Sequence, residues 1–369
     1  MAEDSGNRIA DDQPLWNLGF ILLSVLFLFA SSVMAAFFHI QGYLASLGIP
    51  ASWTGFIISA DSIAGLVIQP FCAPCLTRRN AARWMAVGLF VLGASLVCYS
   101  LAQGIGGLIA VRIAQGAGFV LFLAAMMAAI VGFIPKNRSG QAFGILSLVR
   151  LVPYAIVPPV VAFFLNRSVS FPGIAAWLAA LVGVCLPVIL LLKRPAADRG
   201  GADRASEAVG FRGLKGIVGD RVLQALLAAN LIVFVGYTIV FFYITGFGRE
   251  VRIGHTELFF TVVISMMAAV RLFGSAFFDR FNKFRLIAWC LALLVACFPL
   301  LILSRGWTFF CVAGLLGLAW GVAMPLLNAV VFDVSAAHMQ GVNMNMTLVV
   351  MQGGFFLGPL IGGLVLQVS

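Results

Sequence analysis

Eleven apolar runs, near residues 15–44, 52–75, 82–103, 105–134, 140–165, 172–193, 221–247, 256–278, 284–304, 307–333 and 341–367, carry almost no charge between their ends. Few folds accept such a pattern. A stretch of ~20 mostly apolar residues matches the ~30 Å hydrocarbon layer of a bilayer, and lipid offers backbone amides no partners, so each run is expected to be a helix. Hydrophobic residues make up 62% of the 369 and charged ones 10%, against ~45–50% and ~25% in soluble domains. The expected fold class is an all-α membrane protein with about eleven transmembrane helices.

The formal charge of +10 raises nucleic acid as a partner. The lysines and arginines, however, sit in short turns between runs rather than on one amphipathic surface, so no nucleic acid is expected. With the N-terminus inside, sixteen of them fall in inner segments and four, Arg167, Arg249, Arg252 and Arg305, in outer turns. That bias follows the positive-inside rule and places the N-terminus in the cytoplasm of a multi-pass inner (plasma) membrane protein. Residues 1–14, with four acidic residues against Arg8, read as a polar tail. A secretory signal would need a positive start and a short apolar core. The seven cysteines lie in or beside apolar runs, as small packing residues do. Cys72-x-x-Cys75 has metal-site spacing but no second pair and no nearby histidine, so neither metal nor cofactor is expected.

The turn after the eighth run holds Asp279, Arg280, Asn282 and Arg285, and 202 positions earlier stand Thr77, Arg78, Asn80 and Arg83. The register continues with a drift of a residue or two: Gly104 answers Gly306, Gly140 answers Gly341, and Pro158-Pro159 answers Gly358-Pro359. A repeat of roughly 200 residues made of long apolar segments is the sign of a transporter built from two parallel halves, with its substrate site between them near the midplane. The expected domains are the tail at 1–14, a six-helix bundle at 15–193, a polar cytoplasmic linker at 194–220 and a five-helix bundle at 221–369. In this register a counterpart of the sixth run is missing: either the protein has eleven spans or the chain lacks its natural end.

These residues resemble the major facilitator superfamily (MFS), in its drug- and metabolite-efflux branch, over nearly the whole chain. Gly274, Asp279, Arg280 and Arg285 are similar to the family's Gly-x-x-x-Asp-Arg-x-x-x-Arg loop, with the glycine one place early. The companion loop keeps Arg78 and Arg83 but has Ala73, Thr77 and Asn80 in place of its other residues. Arg112-Ile-Ala-Gln115-Gly116 resembles the Arg-x-x-x-Gly motif associated with proton coupling. The stretch from Val152 to Pro158-Pro159 resembles the exporter motif of the fifth helix, and Gly353 to Gly363, including Gly358 and Pro359, is the better copy in the eleventh. The resemblance implies two pseudo-symmetric helical bundles that work by alternating access. It also implies that Asp279 latches the cytoplasmic side against the start of the fifth helix and Arg138.

Charges deep in a bilayer cost at least ~2.5 kcal/mol at a helix centre and mark candidate functional sites. Here they are Asp61, Arg112, Arg150 and Arg271. Asp61 lies about 13 Å from the outer end of its run and Arg150 about 16 Å from the inner end of its own. Asp61 either pairs with an arginine structurally or titrates during transport, with Arg112 tuning it. His39 is either a packed histidine or a proton relay. Asn230, Tyr237, Tyr243, Asn328 and Gln352 either bind substrate or tie helices together. Three arginines against one aspartate disfavour a cation exporter, and residues 15–44 contain no Asp or Glu.

In the family the fifth and eighth helices adjoin across the halves, which implies that Arg150 and Arg271 clamp an anion between them. The expected function is proton-coupled export of a small anionic or zwitterionic organic molecule by a monomeric antiporter. Uptake by symport of an organic anion is the alternative, and a sensor or assembly protein without transport is a further one. Three widely separated histidines and no nucleophile constellation argue against an enzyme.

Overall fold

A computed structural model describes residues 15–72, 76, 80–102, 104–130, 133–134, 139–190, 192, 220–273, 282–335 and 340–366. They form α1 (Leu18–Ser46), α2 (Ala51–Cys72), α3 (Ala81–Cys98), α4 (Gly104–Ile130), α5 (Ser139–Leu165), α6 (Phe171–Leu190), α7 (Arg221–Glu250), α8 (Leu258–Phe273), α9 (Lys283–Leu303), α10 (Trp307–Val334) and α11 (Gln340–Val365). Among the described residues, ten of these helices are long and apolar enough to cross a membrane, and α8 is a shorter apolar helix. The protein is therefore a multi-pass membrane protein. Large apolar side chains such as Trp289, Val295 and Trp307 stand exposed on its outer faces, where hydrocarbon replaces water as the solvent.

Helix ends follow local chemistry. Asn17 caps α1 by accepting from Phe20 N at 2.9 Å and ties that end down by donating to Phe133 O at 2.7 Å. Asp220 caps α7, and Asn282 caps α9 by accepting from Arg285 N at 3.1 Å. The first helix runs two residues past its expected end and is interrupted by a 3-10 turn at Phe37–His39. Gly48 closes it: with φ +70° it turns the chain so that Gly48 N bonds Ala45 O at 3.0 Å and Ile49 N bonds Leu44 O at 3.1 Å. Residues 274–278 of the expected eighth span, the tail at 1–14 and all of the linker but Asp220 lie outside the described residues.

The packing repeats with the sequence. The α1–α5, α2–α4 and α3–α4 contacts of the first half recur as α7–α11, α8–α10 and α9–α10 in the second. The halves meet through α2 against α11 and α5 against α8, two contacts that exchange under the same repeat.

Toward the Ser46 end of α1, the space between the halves is filled. The Phe38 ring stacks on Phe260 at 5.4 Å and meets Tyr154, Phe241 and Phe242 at 5.4, 5.1 and 5.3 Å. This knot draws on α1, α5, α7 and α8. Near it, a Cβ placed on Gly55 would overlap the Pro359 carbonyl oxygen, so α2 and α11 touch backbone to backbone. Pro159 removes the amide that would bond the Ala155 carbonyl, and Thr261 Oγ1 of α8 donates to that oxygen at 2.7 Å. The proline that weakens α5 thereby creates a fastening between the halves.

Candidate functional site

The deep charges separate into two groups. Arg112 is fully buried on α4, with Nη2 2.8 Å from Asp61 Oδ2. The same guanidinium donates to Ile58 O at 2.6 Å, to Gln115 Oε1 at 3.1 Å and, through Nε, to Ile57 O at 3.4 Å. Tyr99 OH also donates to Gln115 Oε1, at 2.8 Å, and Ser62 Oγ to Asp61 Oδ1 at 3.3 Å. The arginine thus spans one turn of α2 and holds its carbonyls as well as its carboxylate, which is how a buried ion is kept satisfied.

Gly116, one turn after Arg112, makes that reach possible. A Cβ there would overlap the Asp61 backbone carbonyl, so glycine lets α2 lie directly on α4. Gly116→Ala is expected to lower stability by ~1–3 kcal/mol through overpacking. Gly106→Ala on the same helix, where an added Cβ meets nothing within 4 Å, is expected to be neutral or slightly stabilising. Thermal unfolding in detergent compares the two; equal melting temperatures would remove the close-approach role from Gly116.

The other two arginines line a cavity of about 670 Å³ between the halves, on the side of the aromatic knot toward the Leu18 end of α1. Arg150, Ser147 and Tyr154 are among the lining residues from α5, and Met267 and Arg271 among those from α8; α7, α10 and α11 supply the remaining sides. Arg271 Nη1 donates to Ser147 Oγ at 2.7 Å, while its buried Nε has no protein partner. The guanidiniums of Arg150 and Arg271 lie within each other's field, and Tyr154 and Tyr237 lie beside them. Among the described residues, no acidic side chain lines the cavity. A pair of permanent cations brings positive charge and N–H donors, and no acceptors, to the cavity wall.

Residues 20–359 match the profile of the Major Facilitator Superfamily. The chain belongs to that superfamily. It is a transporter and not an enzyme. The quinolone resistance protein NorA of Staphylococcus aureus (strain MRSA252) is 20% identical over 333 residues, covering 88% of this chain and 84% of that one. Among solved structures, the nucleoside transporter NupG superposes with a TM-score of 0.77 at 13% identity, over 95% of this chain and 92% of its own. The human organic anion transporter MFSD10 superposes with 0.65 at 16% identity, over 97% and 95%. At these identities the two structures establish the shared fold.

Within the MFS frame, the residues singled out from sequence take distinct places. Asp61 meets Arg112 and does not line the cavity of Arg150 and Arg271, although Tyr154 at the cavity wall feels its charge. His39 is buried, with Nε2 2.9 Å from the Pro158 carbonyl oxygen; since that oxygen only accepts, Nε2 carries the proton. Tyr243 makes the equivalent bond in the second half, donating to Pro359 O at 2.7 Å. Gly358 packs on Thr238, and the Gln352 amide lies over Gly65 of α2, so these parts of the α11 motif serve helix contacts. Tyr237 and Asn328 line the cavity, and the buried Asn230 donates to Asn328 Oδ1 at 3.2 Å.

Arg83 and Arg285 are exposed in the first turns of α3 and α9, while Arg78, Gly274, Asp279 and Arg280 lie outside the described residues. Reading the sequence missed Ser147, Tyr154, Tyr99 and Thr261. Tyr154 and Gln115 sat inside quoted motifs, but Ser147 and Thr261 carry no signal, because a hydroxyl in an apolar run looks the same whether it bonds its own helix or another.

Proposed function

We propose that this MFS protein exports a small organic anion in exchange for protons. The cavity holding Arg150 and Arg271 serves as the substrate site, and the described conformation is closed outward and faces the cytoplasm. Residues 15–193 and 221–369 act as the two moving halves of a monomer in the inner membrane, joined by 194–220, with the N-terminus cytoplasmic. The observation that carries this reading is the pair of arginines lining one cavity with no acid beside them among the described residues. Resistance in the name of the NorA relative fits an outward direction.

Asp61 is the protonatable group assigned to coupling, because it is the one deep carboxylate in the chain and its bond to Arg112 ties α2 to α4. Protonation would weaken that tie and let α2 shift against α11, where the Gly55 contact keeps the outer side shut. Substrate in the cavity then biases the same two-state equilibrium by neutralising the arginine pair.

The test is flux of a labelled, permanently ionised sulfonate in proteoliposomes of known orientation after a pH jump. Protons moving inward are expected to drive the anion outward; movement of both in one direction would make the protein an uptake symporter. Asp61→Asn is expected to abolish uphill accumulation while leaving downhill exchange, measured in the same vesicles. Undiminished uphill transport by that variant would remove Asp61 from the coupling step.

A further inference from the structure

The cavity has a second chemical character beside its charge. Phe234, Tyr237 and Phe355 all line it, and their rings form one wall, Phe355 lying 6.0 Å from Phe234 and 6.3 Å from Tyr237. Tyr237 is braced from behind by Phe241, stacked at 4.0 Å, and by the buried Trp320, edge-on at 5.2 Å. The same Tyr237 lies in the fields of both Arg150 and Arg271, so the aromatic wall begins where the cationic pole ends. Met267, Met324 and Met351 complete this apolar lining, supplying soft side chains that adapt to the edge of a ring.

We propose that the anion carried is an aryl-bodied monoanion, a flat aromatic system bearing one carboxylate or sulfonate. This rests on the anion reading above and narrows it. The acidic group would take the open donors of Arg271 and Arg150, and the ring system would lie against Phe234, Tyr237 and Phe355 in offset or edge-on contact. A volume near 670 Å³ lies within the ~300–1,000 Å³ of small-molecule sites.

The lining also rejects other anions. Apart from the arginines its polar side chains are Ser147, which already accepts from Arg271, Asn328, which already accepts from Asn230, Tyr154 and Tyr237. A sugar phosphate would bury several hydroxyls with too few partners. A short dicarboxylate would either leave the aromatic wall unused or push its second charge among Met324, Leu348 and Phe355, where nothing compensates it.

Calorimetric titration of the purified full chain in lipid nanodiscs decides the matter, with naphthoate, the neutral naphthalenemethanol, succinate and glucose phosphate as probes. Naphthoate is expected to bind at least tenfold more tightly than the other three. Phe355→Ala is expected to weaken naphthoate at least tenfold and Phe355→Leu, which keeps the packing volume, by less. Arg271→Gln is expected to weaken it as Phe355→Ala does.

Equal binding of naphthalenemethanol, unaffected by Arg271→Gln, would overturn the anion reading itself. Tighter, Arg271-dependent binding of succinate or glucose phosphate would leave the anion reading standing and overturn the aryl assignment. Naphthoate binding that ignores both Phe355 variants, or no naphthoate binding at millimolar concentration, would overturn the aryl assignment too.

Discussion

Arg271→Gln is expected to slow anion transport by about one to two orders of magnitude at subsaturating substrate, with Arg150→Gln close behind. The estimate follows from the ~1.5–3 kcal/mol of a hydrogen bond to a charged group, of which each ~1.4 kcal/mol is tenfold. Glutamine keeps a donor for Ser147 Oγ, which Arg271 Nη1 now holds at 2.7 Å, but removes the charge that faces Arg150 and the unpartnered Nε. The loss should therefore appear as a raised KM in proteoliposome flux.

Stability is expected to move the other way. Two guanidiniums in one field repel, and neither can shed its proton, so the glutamine variant should melt at the same temperature as the parent or higher. Such opposition of stability and activity is usual at sites built for a ligand rather than for the fold. A variant that transports normally, or that loses transport only because it melts earlier, would dismiss Arg271 as a substrate ligand.

Arg112→Ala carries the largest expected effect on stability. Removing one partner of a buried ion pair costs ~3–5 kcal/mol because the other charge is left uncompensated, and here two α2 carbonyls lose the guanidinium as well, while Gln115 Oε1 keeps only Tyr99 OH. Asp61→Asn should cost much less, since Arg112 keeps Ile57 O, Ile58 O and Gln115 Oε1. The double change Asp61→Asn with Arg112→Met should recover part of the Arg112→Ala loss, as the buried charge is gone and the volume is refilled. Thermal unfolding of the purified variants gives the order, and an Asp61→Asn variant less stable than Arg112→Ala would show that the arginine is not the organiser of this contact.

The two arginine predictions differ in sign because the two environments differ. Around Arg112 the protein supplies a carboxylate, backbone carbonyls and the face of Phe37 at 5.2 Å. Around Arg271 it supplies the Ser147 hydroxyl, the neighbouring Tyr237 phenol and another cation. A fully satisfied guanidinium holds helices together; an incompletely satisfied one is available to something that arrives.

Much of this was legible in the sequence, for a reason peculiar to membranes. Lipid forces every backbone amide to bond within its own segment, so apolar runs alone give helices, and their count and the repeat alone give the two-bundle architecture. Charge rarity did similar work: with four charged residues deep in the long runs, the candidate site could be named before any geometry was known. Pairing was a different matter. Asp61 could have faced any of three arginines, and it was the close approach of α2 to α4 at Gly116 that gave it to Arg112 and left Arg150 and Arg271 together with no counter-charge among the described residues. Helix rotation and inter-helix distance are set by which small residues meet, and a single helix carries no record of the residues its neighbour will present. For the same reason the aromatic wall of Phe234, Tyr237 and Phe355 was hidden among the chain's 33 phenylalanines and five tyrosines. The sequence determined which side chains are rare enough to matter, and only the packing of one helix on another decided which of them share a cavity.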